Sequence, residues 1–363
     1  MDTLRSGWLT AGPKTRRFEA AFAEYVGAKG AAAVASCTAG MELALEATGI
    51  GPGDEVITSP LTFCATVNVI IHRGATPVLA DISADDYNLD PEEVERRLTP
   101  RTRALMPVHY AGQPCRMDRL REIARHHNLV VIEDAAHAVG ARYRDRPVGS
   151  EGIAVFSFYA TKNLTTGQGG MVTADGELLE RVRLMSLHGL SQGAWRRYEA
   201  RGSWYYQVLG AGHNFAMTDI QAALGLHQLR RLEGFLARRE EIARLYTESL
   251  GPLEEVVVPT VRPEVRHAWH LYPLVLRPER LTISRDQFIE ALRERGIGTS
   301  VHFIPIPHHP YYREAFGFGP GDYPRCEEVF EGLVSLPLYP LMIDADVERV
   351  ASAVRDIVAA HHR

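Results

Sequence analysis

Between residues 30 and 175 of this 363-residue chain, short apolar and β-branched runs alternate with helical patterns of ordinary length. That alternation predicts a parallel sheet with crossover helices. Seven strands are expected, at residues 32–35, 55–58, 77–80, 103–108, 129–133, 153–158 and 171–173. Helices are expected in the gaps, at 39–47, 62–72, 91–98 and 117–127. Pro91 suits a first helical turn, and Asp90 before it suits the cap. The fold class this implies is α/β, a mostly parallel seven-stranded sheet with helices on both faces.

A long amphipathic pattern then runs from Met217 to about Leu250 and stops at Gly251-Pro252, reading as a connecting spine. Beyond it, 270–276 and 298–303 read as strands and 284–295 and 345–359 as helices, a smaller C-terminal α/β unit. The expected division is a large domain over 1–245 and a small one over 246–363. No internal repeat or low-complexity tract interrupts the pattern.

Composition narrows the partners. With 45% apolar and 23% charged residues the chain is globular, and a net charge of -5 gives no basic field for nucleic acid. No apolar stretch approaches the ~18 residues of a membrane span, and the first residues lack the apolar core of a signal peptide. Cys37, Cys64, Cys115 and Cys326 are widely spaced, which reads as reduced thiols of a cytoplasmic protein.

Only Lys14, Lys29 and Lys162 are lysines among 40 Lys and Arg residues. Arginine replaces lysine for charge but not for attack on a carbonyl, because its guanidinium stays protonated. Lys162 follows the strand-like Phe156-Ser157-Phe158 and precedes the small-residue run Thr165-Thr166-Gly167-Gln168-Gly169-Gly170, which sets it at the rim of a core. Ser36-Cys37-Thr38-Ala39-Gly40 joins an expected strand to an expected helix; it is either an ordinary Ser/Thr cap or an anion nest with Ser157 adding a hydroxyl. Glu133-Asp134-Ala135-Ala136-His137 ends a strand at the edge where open α/β sheets bind ligands. Asp134 there can hold a proton on a heteroaromatic nitrogen, with His137 near a ring oxygen, or it simply caps a helix. Phe63 is either a platform for a planar ligand or core.

Other patterns carry less. Gly210-Ala211-Gly212 and the glycines at 49, 51 and 53 do not complete a dinucleotide loop between a strand and a helix. His126-His127, His267 with His270, and His302 with His308-His309 lack carboxylates at ligand spacing, so no metal is expected. Phosphate nest, aromatic platform, strand-end Asp and downstream Lys together fit pyridoxal 5'-phosphate.

At this level the chain resembles the DegT/DnrJ/EryC1/StrS sugar aminotransferases, enzymes of fold type I. The likeness rests on residues 6–14, Ser36 to Gly40, Pro107 to Gly112, Glu133 to His137, Phe156 to Gly170 and Gly298 to Phe303. It is strongest to the branch acting on 4-keto sugars, which includes the UDP-4-amino-4-deoxyarabinose aminotransferases. The resemblance implies that Lys162 bonds the cofactor, Asp134 partners its pyridine nitrogen, His137 lies near its phenolic oxygen and Phe63 stacks on its ring. Thr38, Ala39 and Ser157 hold its phosphate, joined by Asn214 from the second subunit of a homodimer with shared active sites. Thr10, Gln168, His302 and Tyr312 border the sugar. Family members usually carry Glu-Gly-Gly where this chain has Gln168-Gly169-Gly170, so a carboxylate is missing from the substrate side. A sister group that removes a 3-hydroxyl has histidine in place of the lysine, and Lys162 argues against that reaction. The implied activity moves an amino group from an amino acid, by resemblance L-glutamate, to a nucleotide-linked 4-keto sugar. Transamination of a cyclitol or aminoshikimate-type ketone is the alternative within the class, and a PLP-binding regulator without turnover the alternative outside it.

Overall fold

The computed structural model describes residues 2–191 and 205–363. The first strands are β1 (Ala31–Val34), β2 (Glu55–Thr58), β3 (Thr76–Leu79), β4 (Thr102–Met106) and β5 (Val130–Asp134). The two-residue strands β6 (Arg142–Tyr143) and β7 (Arg146–Pro147) come next, then β8 (Ile153–Ser157) and β9 (Gly170–Thr173). Seven of these form one sheet in the order β1-β9-β8-β5-β4-β2-β3. Its neighbours are parallel except β9, which runs antiparallel to both β1 and β8.

All residues of β1, β2, β8 and β9 are buried, as expected for a sheet covered on both faces. Side chains alternate between the two covers. Ala32, Val34, Val155 and Val172 pack with Met41 and Leu45, whereas Ala31, Ala33, Phe156 and Met171 pack with Phe18 and Phe22. β9 enters beside the end of β1 at close range. A Cβ on Gly170 would lie 2.6 Å from the Ser36 carbonyl carbon and 2.7 Å from the Cys37 nitrogen, so only glycine fits there.

The long helix Asp219–Leu250 starts with a capping box, in which Thr218 and Gln221 bond each other's backbone N–H. The Asp219 carboxylate also accepts from the backbone N–H of Lys14 (3.0 Å) and Thr15 (2.8 Å), capping the helix Pro13–Val26 from outside. This long helix spans two cores. Leu232 and Leu236 pack with the Phe18/Phe22 cluster, while Ile242, Tyr246 and Leu250 pack with Tyr272, Phe288 and Val354. The second core lies against β10 (Val256–Val257), β12 (Tyr272–Leu276) and β13 (Leu333–Leu336), an antiparallel sheet in the order β10-β12-β13. Between them in sequence, β11 (Val265–Arg266) pairs with β6.

Residues 298–303, expected as a strand, are not one. Only Ser300 bridges β13, at Ser335, and the chain then turns away so that Ile306 N–H donates to the Pro60 carbonyl at 2.9 Å. Pro305 and Pro307, which carry no N–H, follow the segment. The third strand of the small sheet is instead Leu333–Leu336, and the helix Pro13–Val26 is a further element absent from the sequence reading.

Buried Arg239 of the long helix clamps two segments of the second core. Its Nη1 lies 3.0 Å from the carbonyl oxygens of Trp269 and Leu338 and 3.3 Å from that of His270. Burial draws its pKa down to about 10. Arg239→Met strands three carbonyls in a dry interior and should lower stability by about 3 kcal/mol, read from urea denaturation. An unchanged midpoint would show that the clamp carries no weight.

Candidate active site

The carboxyl ends of β1, β2, β4, β5 and β8 share one edge of the sheet, where β9 begins. After β8 the chain folds back on itself: Phe158 N–H donates to the Gly169 carbonyl (2.9 Å), and Thr166 N–H returns to the Phe158 carbonyl (3.0 Å). Within that loop Lys162 N–H bonds the Tyr159 carbonyl at 2.9 Å. The Lys162 amine is thereby turned inward. Its pKa falls to about 8, because burial strips water from the ammonium more than Cys37 and Asp134 can offset.

Asp134, at the end of β5, is buried. Its Oδ2 accepts from the Thr66 hydroxyl at 2.8 Å, its Oδ1 accepts from Ala136 N–H at 3.1 Å, and Thr66 is itself 2.8 Å from the Thr62 hydroxyl. Burial raises the carboxyl pKa against those two bonds and the nearby Lys162. His137 is also buried, and its Nδ1 has no partner among the described residues. Burial, then Lys162 and His302, hold the His137 ring neutral by pulling its pKa well down. Its centroid is 4.3 Å from that of His270, and Phe303 stacks at 5.9 Å. His302 bonds the Ser335 hydroxyl through Nδ1 at 2.9 Å, and burial, with Lys162 adding to it, lowers its pKa to about 4.

At the start of the helix Cys37–Ala47, the Ser36 hydroxyl accepts from Ala39 N–H at 3.1 Å, so the Ser cap is formed. Thr38 beside it is half-buried and Ala39 buried. Buried Ser157 accepts from Tyr159 N–H at 3.3 Å, which leaves its own proton for a further acceptor. Phe63 stands 59% exposed at the start of the helix Cys64–His72, its ring 5.8 Å from Phe303. Asn214 is exposed, in a segment that bridges Leu187 and runs beside Val34.

The substrate-side expectations separate. His302 belongs to the electrostatic neighbourhood of Lys162. Thr10 and Gln168 are exposed, and both give backbone carbonyls to the start of the long helix: Asp219 N–H donates to Thr10 (3.2 Å) and Gln221 Nε2 to Gln168 (2.9 Å). Tyr312 is buried among Leu61, Tyr110 and Tyr323, its hydroxyl donating to Asn68 Oδ1 at 2.6 Å. Three residues not assigned a role from sequence reach the centre. Thr66 holds Asp134, and His270 with Asn163 stands beside Lys162, His270 Nε2 being 3.4 Å from Nζ. Nothing local links Thr66 to Asp134 or Lys162 to His270.

These groups fit pyridoxal 5'-phosphate: an orphaned buried imidazole nitrogen, a buried carboxylate, a helix start with a spare hydroxyl nearby, and a dehydrated amine. Among the described residues no three His, Cys, Asp or Glu side chains are grouped to hold a metal.

Comparison with known proteins agrees. The model of the DegT/DnrJ/EryC1/StrS aminotransferase family matches residues 1–355. The spore coat polysaccharide biosynthesis protein SpsC of Bacillus subtilis is 54% identical over 360 residues, 98% of this chain and 92% of that protein. The PLP form of the putative sugar aminotransferase Spr1654 from Streptococcus pneumoniae superposes with a TM-score of 0.91 at 33% identity, covering 99% of this chain and 94% of that one. DesV of S. venezuelae superposes with a TM-score of 0.90 at 37% identity, covering 98% and 92%.

The lowered Lys162 pKa has a stability consequence. An unfolded lysine keeps its proton to about 10.4, so between about 8 and that value the unfolded chain binds more protons than the folded one and stability rises with pH. In cofactor-free protein, Lys162→Met should therefore be more stable than the parent at pH 7 by about 3 kcal/mol, the gap closing through that window. A gap independent of pH, measured by denaturant unfolding, would mean that the amine is not dehydrated.

Proposed function

Because the chain belongs to the DegT/DnrJ/EryC1/StrS aminotransferase family, we propose that it transfers an amino group from L-glutamate to a 4-keto sugar carried on a nucleotide. It takes pyridoxal phosphate, which supplies an aldehyde that bonds amines and a ring that accepts the electron pair left when a C–H proton departs. One observation carries the reading: a lysine amine with its pKa near 8, held in the same pocket as a buried strand-end carboxylate.

The chain's own residues divide the work. Lys162 bonds the cofactor at rest, and its amine, once displaced by the donor, moves the donor's α-proton. With a pKa near 8 a useful fraction of that amine is unprotonated at neutral pH, so it can act as a base without further activation. Asp134, fixed by Thr66 and by Ala136 N–H, holds a proton on the ring nitrogen. His137 has an unpartnered Nδ1 that would serve the ring oxygen, and exposed Phe63 would cover the ring. Thr38, Ala39 and Ser157 take the phosphate, with Asn214 arriving from a second copy of the chain. Exposed Val208 and Leu209, near Asn214 in sequence, support burial of that face in a dimer. Thr10, Gln168 and His302 would border the sugar, whereas Tyr312 is buried with its hydroxyl on Asn68; the four thiols are free, in keeping with a reducing cytoplasm.

Product mass spectrometry after incubation with glutamate and UDP-, dTDP- and GDP-linked 4-keto sugars should show a gained amine on one of them. Activity confined to unactivated cyclitols would overturn the substrate class. Lys162→Arg should retain the fold by circular dichroism and lose turnover by at least about 10³-fold, since guanidinium cannot replace the amine; substantial residual activity would remove Lys162 from its role.

A further inference from the structure

His270 lies 108 residues from Lys162 in the chain, yet its Nε2 is 3.4 Å from the lysine Nζ. Four hydrogen bonds hold the segment around this histidine in place. Its N–H and that of Leu271 donate to the Ala111 carbonyl at 2.9 and 3.2 Å, and Ala268 N–H donates to Gly112 at 2.9 Å. Arg239 grips its carbonyl from the long helix at 3.3 Å. A Cβ on Gly112 would lie 3.1 Å from the His270 nitrogen and 3.0 Å from the His137 carbonyl, so the two histidine segments pass as closely as glycine permits.

The tautomer of His270 follows from its other nitrogen. Asn163 Nδ2 donates to the Ala268 carbonyl at 2.7 Å, which fixes that amide with its Oδ1 toward His270 Nδ1, 3.3 Å away. A carbonyl oxygen only accepts, so Nδ1 carries the proton and Nε2 presents a lone pair to the lysine. Burial keeps the ring uncharged.

We propose that His270 is a further catalytic residue, whose Nε2 accepts one N–H of the Lys162 amine and so aims the nitrogen lone pair, and that Asn163 is the positioning residue that sets the His270 tautomer. An unbound primary amine rotates freely about Cε–Nζ, and its lone pair points at a given carbonyl or C–H for only part of the time. Holding one of its two N–H bonds removes most of that freedom. His137, its ring tilted at 41° to that of His270, faces the same pocket, but its Nδ1 has no partner among the described residues; Cys37 and Asp134 act on the amine through charge. Because Asn163 is the residue after Lys162, the loop that delivers the amine also delivers the group that orients its acceptor.

The proposal rests on Lys162 being the reacting amine, and its test separates the two. Ring-15N-labelled histidine in the cofactor-free protein, with His270 assigned by loss of its signals in His270→Phe, reports which nitrogen is protonated. The expected pattern is a protonated Nδ1 and an unprotonated Nε2, with Asn163→Leu drawing the two signals together and Asn163→Asp restoring them. A protonated Nε2 in the parent, or no change in Asn163→Leu, overturns the tautomer assignment whatever the enzyme's activity. In the half-reaction with the amino donor, His270→Phe should slow the first-order rate about 10- to 100-fold while the KM for the donor stays within about twofold. An unaltered rate overturns the catalytic role. Should the parent show no transamination at all, the 15N pattern still decides the geometry, and the failure falls on the functional reading alone.

Discussion

A single ammonium group deprived of water sets the terms for this molecule. Burial of Lys162 lowers its pKa from the ordinary lysine value of 10.5 to about 8, against the opposing charges of Cys37 and Asp134. A cost of that kind persists in a native state only when the surrounding structure enforces it. The β8–β9 connection fixes the loop that carries the lysine, with Phe158 bonded to both Gly169 and Thr166, and His270 meets the amine itself at 3.4 Å.

The neighbours of the amine are neutralised by the same dry pocket. His137, His270 and His302 come from three distant parts of the chain, and burial pulls all three toward the uncharged form. Uncharged imidazoles can accept a hydrogen bond or point an unpartnered nitrogen at a bound ring, which protonated ones cannot. Among the described residues Asp134 is the carboxylate that acts on the amine by charge, and two hydrogen bonds hold it. The pocket thus pairs a weakened base with an anchored acid, the arrangement that carbanion chemistry on a pyridine ring requires.

Much of this was legible from residue order. The seven strands of the large sheet were readable because β1 and β8 are apolar at nearly every position, and β2 and β9 carry apolar centres, as strands covered on both faces do. Asp134 stood out because it ends such a strand at the ligand-binding edge, and Lys162 because it follows one by five residues. The segment 298–303 misled because Val301 and Phe303 alternate with polar residues like a strand, while its backbone meets β13 only at Ser300. His270 and Thr66 were assigned no role for a different reason. Each reaches its target by tertiary contact alone, His270 through the Gly112 turn and the Arg239 clamp, and Thr66 through helix placement against β5; no local pattern encodes either distance. Tyr312, carried over by resemblance as bordering the sugar, has its hydroxyl engaged by Asn68.

The proposed chemistry needs the reactive nitrogen to belong to Lys162, and the chain offers only two other lysines to confuse the result. Incubation with pyridoxal phosphate, reduction with borohydride and peptide mapping by mass spectrometry test it directly. The expected outcome is a yellow protein in which reduction fixes one phosphopyridoxyl group to the peptide containing Lys162. A colourless protein, or label found on Lys14 or Lys29 with Lys162 unmodified, would contradict it.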